Sequence, residues 1–233
     1  MAITVIGNPT VVSNATATTR TVDRPADTQT NDVLVAHITN SGGNTLASWT
    51  VPTDWVLVSD MSTQQTNPRF AVYRKIITDI ASEPTTYTWS TYGTTNGGSI
   101  NCGGFRGVDL TTPVDVLGTV VTGTSDITLT GVTTVTDNAL LIASIGMNSS
   151  SGLWTTPSGW TEFWDNGVQR GNALFYKLQA VAGASGNQLM DDNKGAGAAR
   201  VGVMWALRPA IAAGGGSLPK GRNHRSGSNL IGR

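Results

Sequence analysis

One seven-residue pattern occurs twice in this chain, and it constrains the fold more than any other feature. WTVPTDW runs from Trp49 to Trp55 and WTTPSGW from Trp154 to Trp160. Trp and Pro are rare residues, so a shared W-T-x-P-x-x-W marks a duplication. Internal repeats of this kind decide a fold before any local reading does. The flanking segments match as well. NDVLVAHI (Asn31 to Ile38) parallels DNALLIASI (Asp137 to Ile145), and FAVYRKI (Phe70 to Ile76) parallels ALFYKLQA (Ala173 to Ala180). CGGFRGV (Cys102 to Val108) parallels MWALRPA (Met204 to Ala210). The landmarks pair as Trp49/Trp154, Pro52/Pro157 and Trp55/Trp160 at an offset of 105, Tyr73/Tyr176 at 103 and Arg106/Arg208 at 102. The offsets change where loops would absorb the difference.

Each copy reads as about six strands. Ile127 and Leu129 alternate with polar neighbours, as do Tyr87 and Trp89, and Val201, Val203, Trp205 and Leu207 share one face. That period of two is the signature of a half-buried strand. Breakers separate the runs at Asn40 to Gly43, Gly93 to Gly98, Asn148 to Gly152 and Ala182 to Asn187. Only 13% of residues are charged, and Thr, Ser, Gly and Asn fill the polar positions. This mixture suits strands and tight turns and lacks the Glu, Lys, Leu and Ala periodicity of helices. The best helical candidate, Gln179 to Ser185, is short and holds a glycine.

The expected fold is all-β: an antiparallel, jelly-roll-like β-sandwich with internal pseudo-twofold duplication and an irregular C-terminal tail. The sandwich is assigned to residues 1–210, with repeats at about 1–110 and 111–210. Two arrangements fit. Each copy could close a small sandwich, or both could interleave into one larger sandwich. The second is preferred, because the link from Thr111 to Ser125 is short and contains a strand expected over Leu117 to Val121.

Residues 211–233 form a Gly-rich linker and a basic tail, with Lys220, Arg222, Arg225 and Arg233 and no acid. The rest of the chain therefore holds 11 bases against 15 acids. Such asymmetry leaves two readings of the tail, an anchoring arm that touches a partner or a floppy terminus, and the first is the sharper one. The N-terminus MAITVIGNPTVV lacks a basic and then a long apolar stretch, so no signal peptide is expected. No apolar run reaches about 18 residues, so no membrane partner is expected.

Residues able to carry chemistry are sparse. The single cysteine, Cys102, excludes an internal disulfide and reads as a small buried hydrophobe. His37 lies within an expected strand and His224 in the tail, without zinc-ligand spacing. Neither G-x-S-x-G nor G-x-x-x-x-G-K-[ST] occurs. Glu83 and Glu162 are the acids considered for a hydrolase pair, though nothing singles them out. Asp191 and Asp192, beside Asn193, form the densest acidic cluster and a weak calcium candidate. The repeated tryptophans read as packing residues. Trp164 and Tyr92 stand outside the motif and are the candidates for stacking on a glycan or partner.

The order D-x-L-x-x-x-I (Asp32 to Ile38), W-T-x-P-x-x-W, Y-x-K (Tyr73 to Lys75), T-Y-T-W (Thr86 to Trp89), F-R-G-V-D (Phe105 to Asp109) and P-x-D (Pro113 to Asp115) resembles β-sandwich accessory proteins of tailed bacteriophages. These are head-decoration and minor tail proteins, and the resemblance covers about residues 25 to 210. It implies a non-enzymatic protein of the virion, assembled in the host cytoplasm, without a cofactor. Its implied partners are capsid or tail subunits and further copies of itself, with no specific nucleic acid. A carbohydrate-binding module recognising host-surface glycans is the alternative.

Overall fold

The computed structural model describes residues 2–14, 19–40, 50–61, 68–90, 97–149, 153–167, 170–192 and 197–211. It is all-β and antiparallel. The first repeat contributes β1 (Thr4–Asn14), β2 (Thr19–Asp23), β3 (Val33–Asn40), β4 (Val56–Asp60), β5 (Arg69–Ile76), β6 (Thr86–Ser90) and β7 (Gly98–Arg106). The second contributes β8 (Val114–Leu117), β9 (Val121–Gly123), β10 (Ile127–Leu129), β11 (Ala139–Met147), β12 (Thr161–Asn166), β13 (Asn172–Gln179), β14 (Gln188–Met190) and β15 (Arg200–Leu207). Among the described residues no helix is long and apolar enough to cross a membrane.

The two repeats fold alike. The first builds a sheet in the order β1-β7-β3-β5-β4, and the second builds β8-β15-β11-β13-β12, with β9 also on β15. Each repeat adds a two-stranded sheet, β2-β6 or β10-β14. Among the described residues no large sheet mixes strands from both copies, so the preferred single sandwich forms with one sheet from each copy and not by interleaving their strands. The large sheets instead stack face to face over a shared core that includes Val33, Val35, Phe70, Ile142, Leu174 and Trp205. Each small sheet covers the outer face of its own large sheet. Val22, Tyr87 and Trp89 pack on Leu34, Ile38 and Cys102, while Ile127, Leu129 and Met190 pack on Leu141, Ile145 and Met204. The result is four layers, which explains why strands β3, β11 and β15 are buried along their whole length. A strand covered on both faces reads as a continuous apolar run, while the small outer sheets keep the alternating pattern.

Strand pairing corrects one landmark. Ala36 pairs with Tyr73 in the first repeat, and Ala143 pairs with Phe175 in the second. Tyr73 therefore corresponds to Phe175 at an offset of 102, and Tyr176 takes the place of Arg74. Tyr73 belongs to the outer core and Tyr176 packs on the inner one. A one-residue slip moves a side chain to the opposite face of a sheet, so a Tyr/Tyr match cannot hold. The expected strand over Leu117 to Val121 is also broken. Gly118 N–H donates to Met204 O at 2.9 Å, and a Cβ there would lie 2.6 Å from that oxygen.

The repeated motif is a turn. Trp55 N–H donates to Pro52 O at 3.3 Å, and Trp160 N–H to Pro157 O at 3.1 Å. Asp54 (φ 66°) and Gly159 (φ 77°) hold the third turn position at positive φ, as a type II turn requires. The following tryptophan drops into the outer core in each case. Four of the five edge strands of the large sheets are irregular. β1 shifts register between Ile6 and Thr10, β4 between Leu57 and Ser59, β12 between Glu162 and Trp164, and β8 opposite Ala206 and Leu207. Such bulges blunt a sheet edge against strand addition by another chain.

Candidate functional site

Three polar constellations stand out from the apolar layers. The first lies between the large sheets. Register pairs His37 with Ser144 in the repeat, and the two side chains hydrogen-bond, Ser144 Oγ to His37 Nε2 at 2.9 Å. Trp205 Nε1–H donates to the same Ser144 oxygen at 2.9 Å. Trp164 and Phe70 meet the imidazole edge-on, with centroids 4.8 and 5.1 Å away. Asn172 continues the network, accepting from Trp164 Nε1 at 2.9 Å and donating to Ser99 Oγ at 2.8 Å. Burial pushes the imidazole down to about 3, against a smaller opposing contribution from Asn172, so His37 is neutral. His37 and Ser144 are fully enclosed, and the serine oxygen is already held by an indole N–H. This is a sealed polar seam and not a nucleophile with access to substrate.

The second constellation lies on the outside of the first repeat. Lys75 Nζ meets Thr53 O at 3.1 Å, Asp54 Oδ2 at 3.5 Å and Glu83 Oε1 at 3.2 Å. Tyr87 O–H donates to the same Glu83 oxygen at 2.9 Å. Burial and the neighbouring Glu83 push the Tyr87 phenol well above its usual range. These groups line a polar pocket of about 510 Å³. Sequence reading raised Glu83 only as a hydrolase candidate beside Glu162. Glu162 sits on β12 of the other repeat, accepts from Thr156 Oγ1 at 3.1 Å, and is not part of this pocket.

The third is the junction where β7 and β15 end. Arg106 pairs with Asp32 through two hydrogen bonds of 2.9 Å, and Arg208 pairs with Asp115 at 3.2 Å. The repeated arginine thus anchors each copy to a nearby acid. A pocket of about 500 Å³ opens there, between Asp32, Arg106, Leu110 and Ile211.

Trp164 is not an exposed platform. It is 3% exposed, donates its indole N–H to Asn172, and fills the inner core beside Phe163. The bulge between Glu162 and Trp164 turns the ring inward, and a bulge leaves no mark on the alternation of the sequence. Among the described residues every Trp, Tyr and Phe is buried or half-buried. Asp191 and Asp192 do approach Asp126, with candidate ligand oxygens within 4.8 Å of one another. Asp192, however, is buried against Arg200, whose Nε donates to Oδ2 at 2.6 Å. That guanidinium already supplies the cation this carboxylate would need. Cys102 is fully buried, and burial raises its thiol far above the usual range, which suits an inert core residue. Tyr92, Lys220, Arg222, Arg225 and Arg233 lie outside the described residues.

The chain was also compared with known proteins. No family model, no curated protein and no solved structure matches it.

Proposed function

We propose that this chain is a non-enzymatic accessory protein of a tailed-bacteriophage particle, a head-decoration or minor tail component held in place partly by its basic C-terminal segment. The phage assignment rests on the ordered motifs from Asp32 to Asp115. The attachment mode rests on charge: all four bases of residues 211–233 are unopposed by acid, while the remaining chain carries an acidic excess. Arg and Lys side chains of that segment pair with acidic surfaces of capsid or tail subunits.

The body supports a scaffold role. Its repeated landmarks are spent on packing, and its blunted edges disfavour attachment by strand addition. An attachment segment is then the natural contact. Deleting Gly214 to Arg233 tests this: the body should keep its melting temperature while occupancy on purified particles falls. Equal occupancy refutes the attachment mode. The glycan reading through Trp164 is not carried forward, since that ring is buried.

A further inference from the structure

The pocket beside the first Pro-x-x-Trp turn has a chemistry that the duplicated fold does not require. By strand register, Lys75 corresponds to Lys177 and Tyr73 to Phe175. Pairing of the small sheets likewise equates Tyr87 with Gln188. The turn equates Asp54 with Gly159. The second repeat therefore builds the same turn and strands with a glycine and an amide where the first has a carboxylate and a phenol. Packing does not demand Asp54 or the Tyr87 hydroxyl, so their presence in one copy calls for another reason.

The pocket is also built in advance. Lys75 has an oxygen partner for each of its three protons, and Tyr87 fixes Glu83. Arg24 Nη1 donates to Glu83 O at 2.8 Å and pins the segment before β6. Glu83 Oε2 and Asp54 Oδ1 make no hydrogen bond within the described protein, and the hydroxyls of Thr53, Thr78 and Thr86 make none either. The opening thus presents two carboxylate oxygens and three hydroxyls around the buried Lys75 ammonium, flanked by the rings of Pro52 and Pro84. A volume of about 510 Å³ lies in the range of small-molecule sites.

We propose that this pocket binds a hexopyranose. Vicinal sugar hydroxyls donate to Asp54 and Glu83, the threonine hydroxyls accept and donate in turn, and the sugar C–H face rests on the proline rings. The site needs no exposed aromatic ring, and it stands whether or not the particle assignment holds.

The test is a titration of the ¹⁵N-labelled full chain with the methyl glycosides of glucose, galactose, mannose and N-acetylglucosamine, followed by NMR. The expected result is a saturable shift of the Thr53, Asp54, Thr78 and Thr86 amides with at least one glycoside, at a Kd on the order of 1 mM. Asp54→Gly reproduces the turn already present at Gly159, so it keeps the fold, and it should weaken binding at least about tenfold. Thr86→Val should weaken binding without moving the turn. No saturation by about 50 mM, shifts centred elsewhere, or equal affinity in Asp54→Gly would each overturn the assignment.

Discussion

His37 and Ser144 occupy the same position in the two repeats, and they hydrogen-bond to each other across the stacked sheets at 2.9 Å. Equivalent residues meet in this way only near a pseudo-twofold axis. The contact therefore marks where one copy turns into the other. Ser144→Ala leaves the Trp205 indole N–H and His37 Nε2 buried without their partner. The expected cost is roughly 1–3 kcal/mol, read by chemical denaturation.

The same histidine sets a pH dependence. Its folded pKa, about 3, lies below the ordinary value of 6.5. Between those values the unfolded chain binds the extra proton, so stability rises with pH. His37's contribution is complete above about pH 6.5 and is lost as pH falls toward 3, at roughly 1.4 kcal/mol per pH unit. The stability difference between wild type and His37→Gln should grow with this slope from pH 4 to about 6.5, other titrating groups being common to both. Parallel curves would contradict the buried neutral imidazole.

Asp165 works in the opposite direction. Its carboxylate accepts the Trp154 backbone N–H, its other oxygen is buried without a partner, and burial raises it to about 7. The folded state thus holds a proton that the unfolded state has released, and stability falls as pH climbs from about 4 to 7. Asp165→Asn keeps an acceptor for Trp154 and removes the charge. Its melting temperature should exceed that of wild type at pH 8 and match it at pH 4.

Gly103 and Trp205 also share a repeat position, with opposite volumes. The room at Gly103 is taken by Phe163 and Trp164, and a Cβ there would sit 2.2 Å from the Phe163 ring. Gly103→Ala overpacks the inner core and should cost about 1–3 kcal/mol. A neutral result would mean that the sheets can slide apart freely.

Much of this was readable in advance, for identifiable reasons. Ile127/Leu129 and Tyr87/Trp89 lie on the small outer sheets, whose far faces meet water, so their alternation survived in the sequence. The duplication was legible because the turn that carries it needs Pro, Trp and a residue tolerant of positive φ. Layer count was not legible. Strands such as Leu140 to Ile145 are apolar on both faces, and nothing local says which face meets which sheet. The Tyr73/Tyr176 error has the same origin, since two aromatic positions one residue apart serve opposite faces. The Lys75 and Glu83 pair was not legible because seven residues and a loop separate its members. What Lys75 shares with Lys177 was the one available clue.

The turn itself can be probed. Gly159→Val forces a branched residue to a φ of 77° and should cost roughly 1–3 kcal/mol. Asp54→Gly, which loses only an exposed ion-pair partner, should stay within about 1 kcal/mol of wild type.

The proposed role is that of a doubled β-body attached to a phage particle through its basic C-terminal segment. Its most direct measurement is the copy number of this chain on purified particles, by quantitative mass spectrometry, for the full chain and for a chain lacking Gly214 to Arg233. The expected result is a fixed copy number for the full chain and a marked loss for the shortened one, with the body still folded. Absence of the full chain from particles, or equal copy number for both, would contradict it.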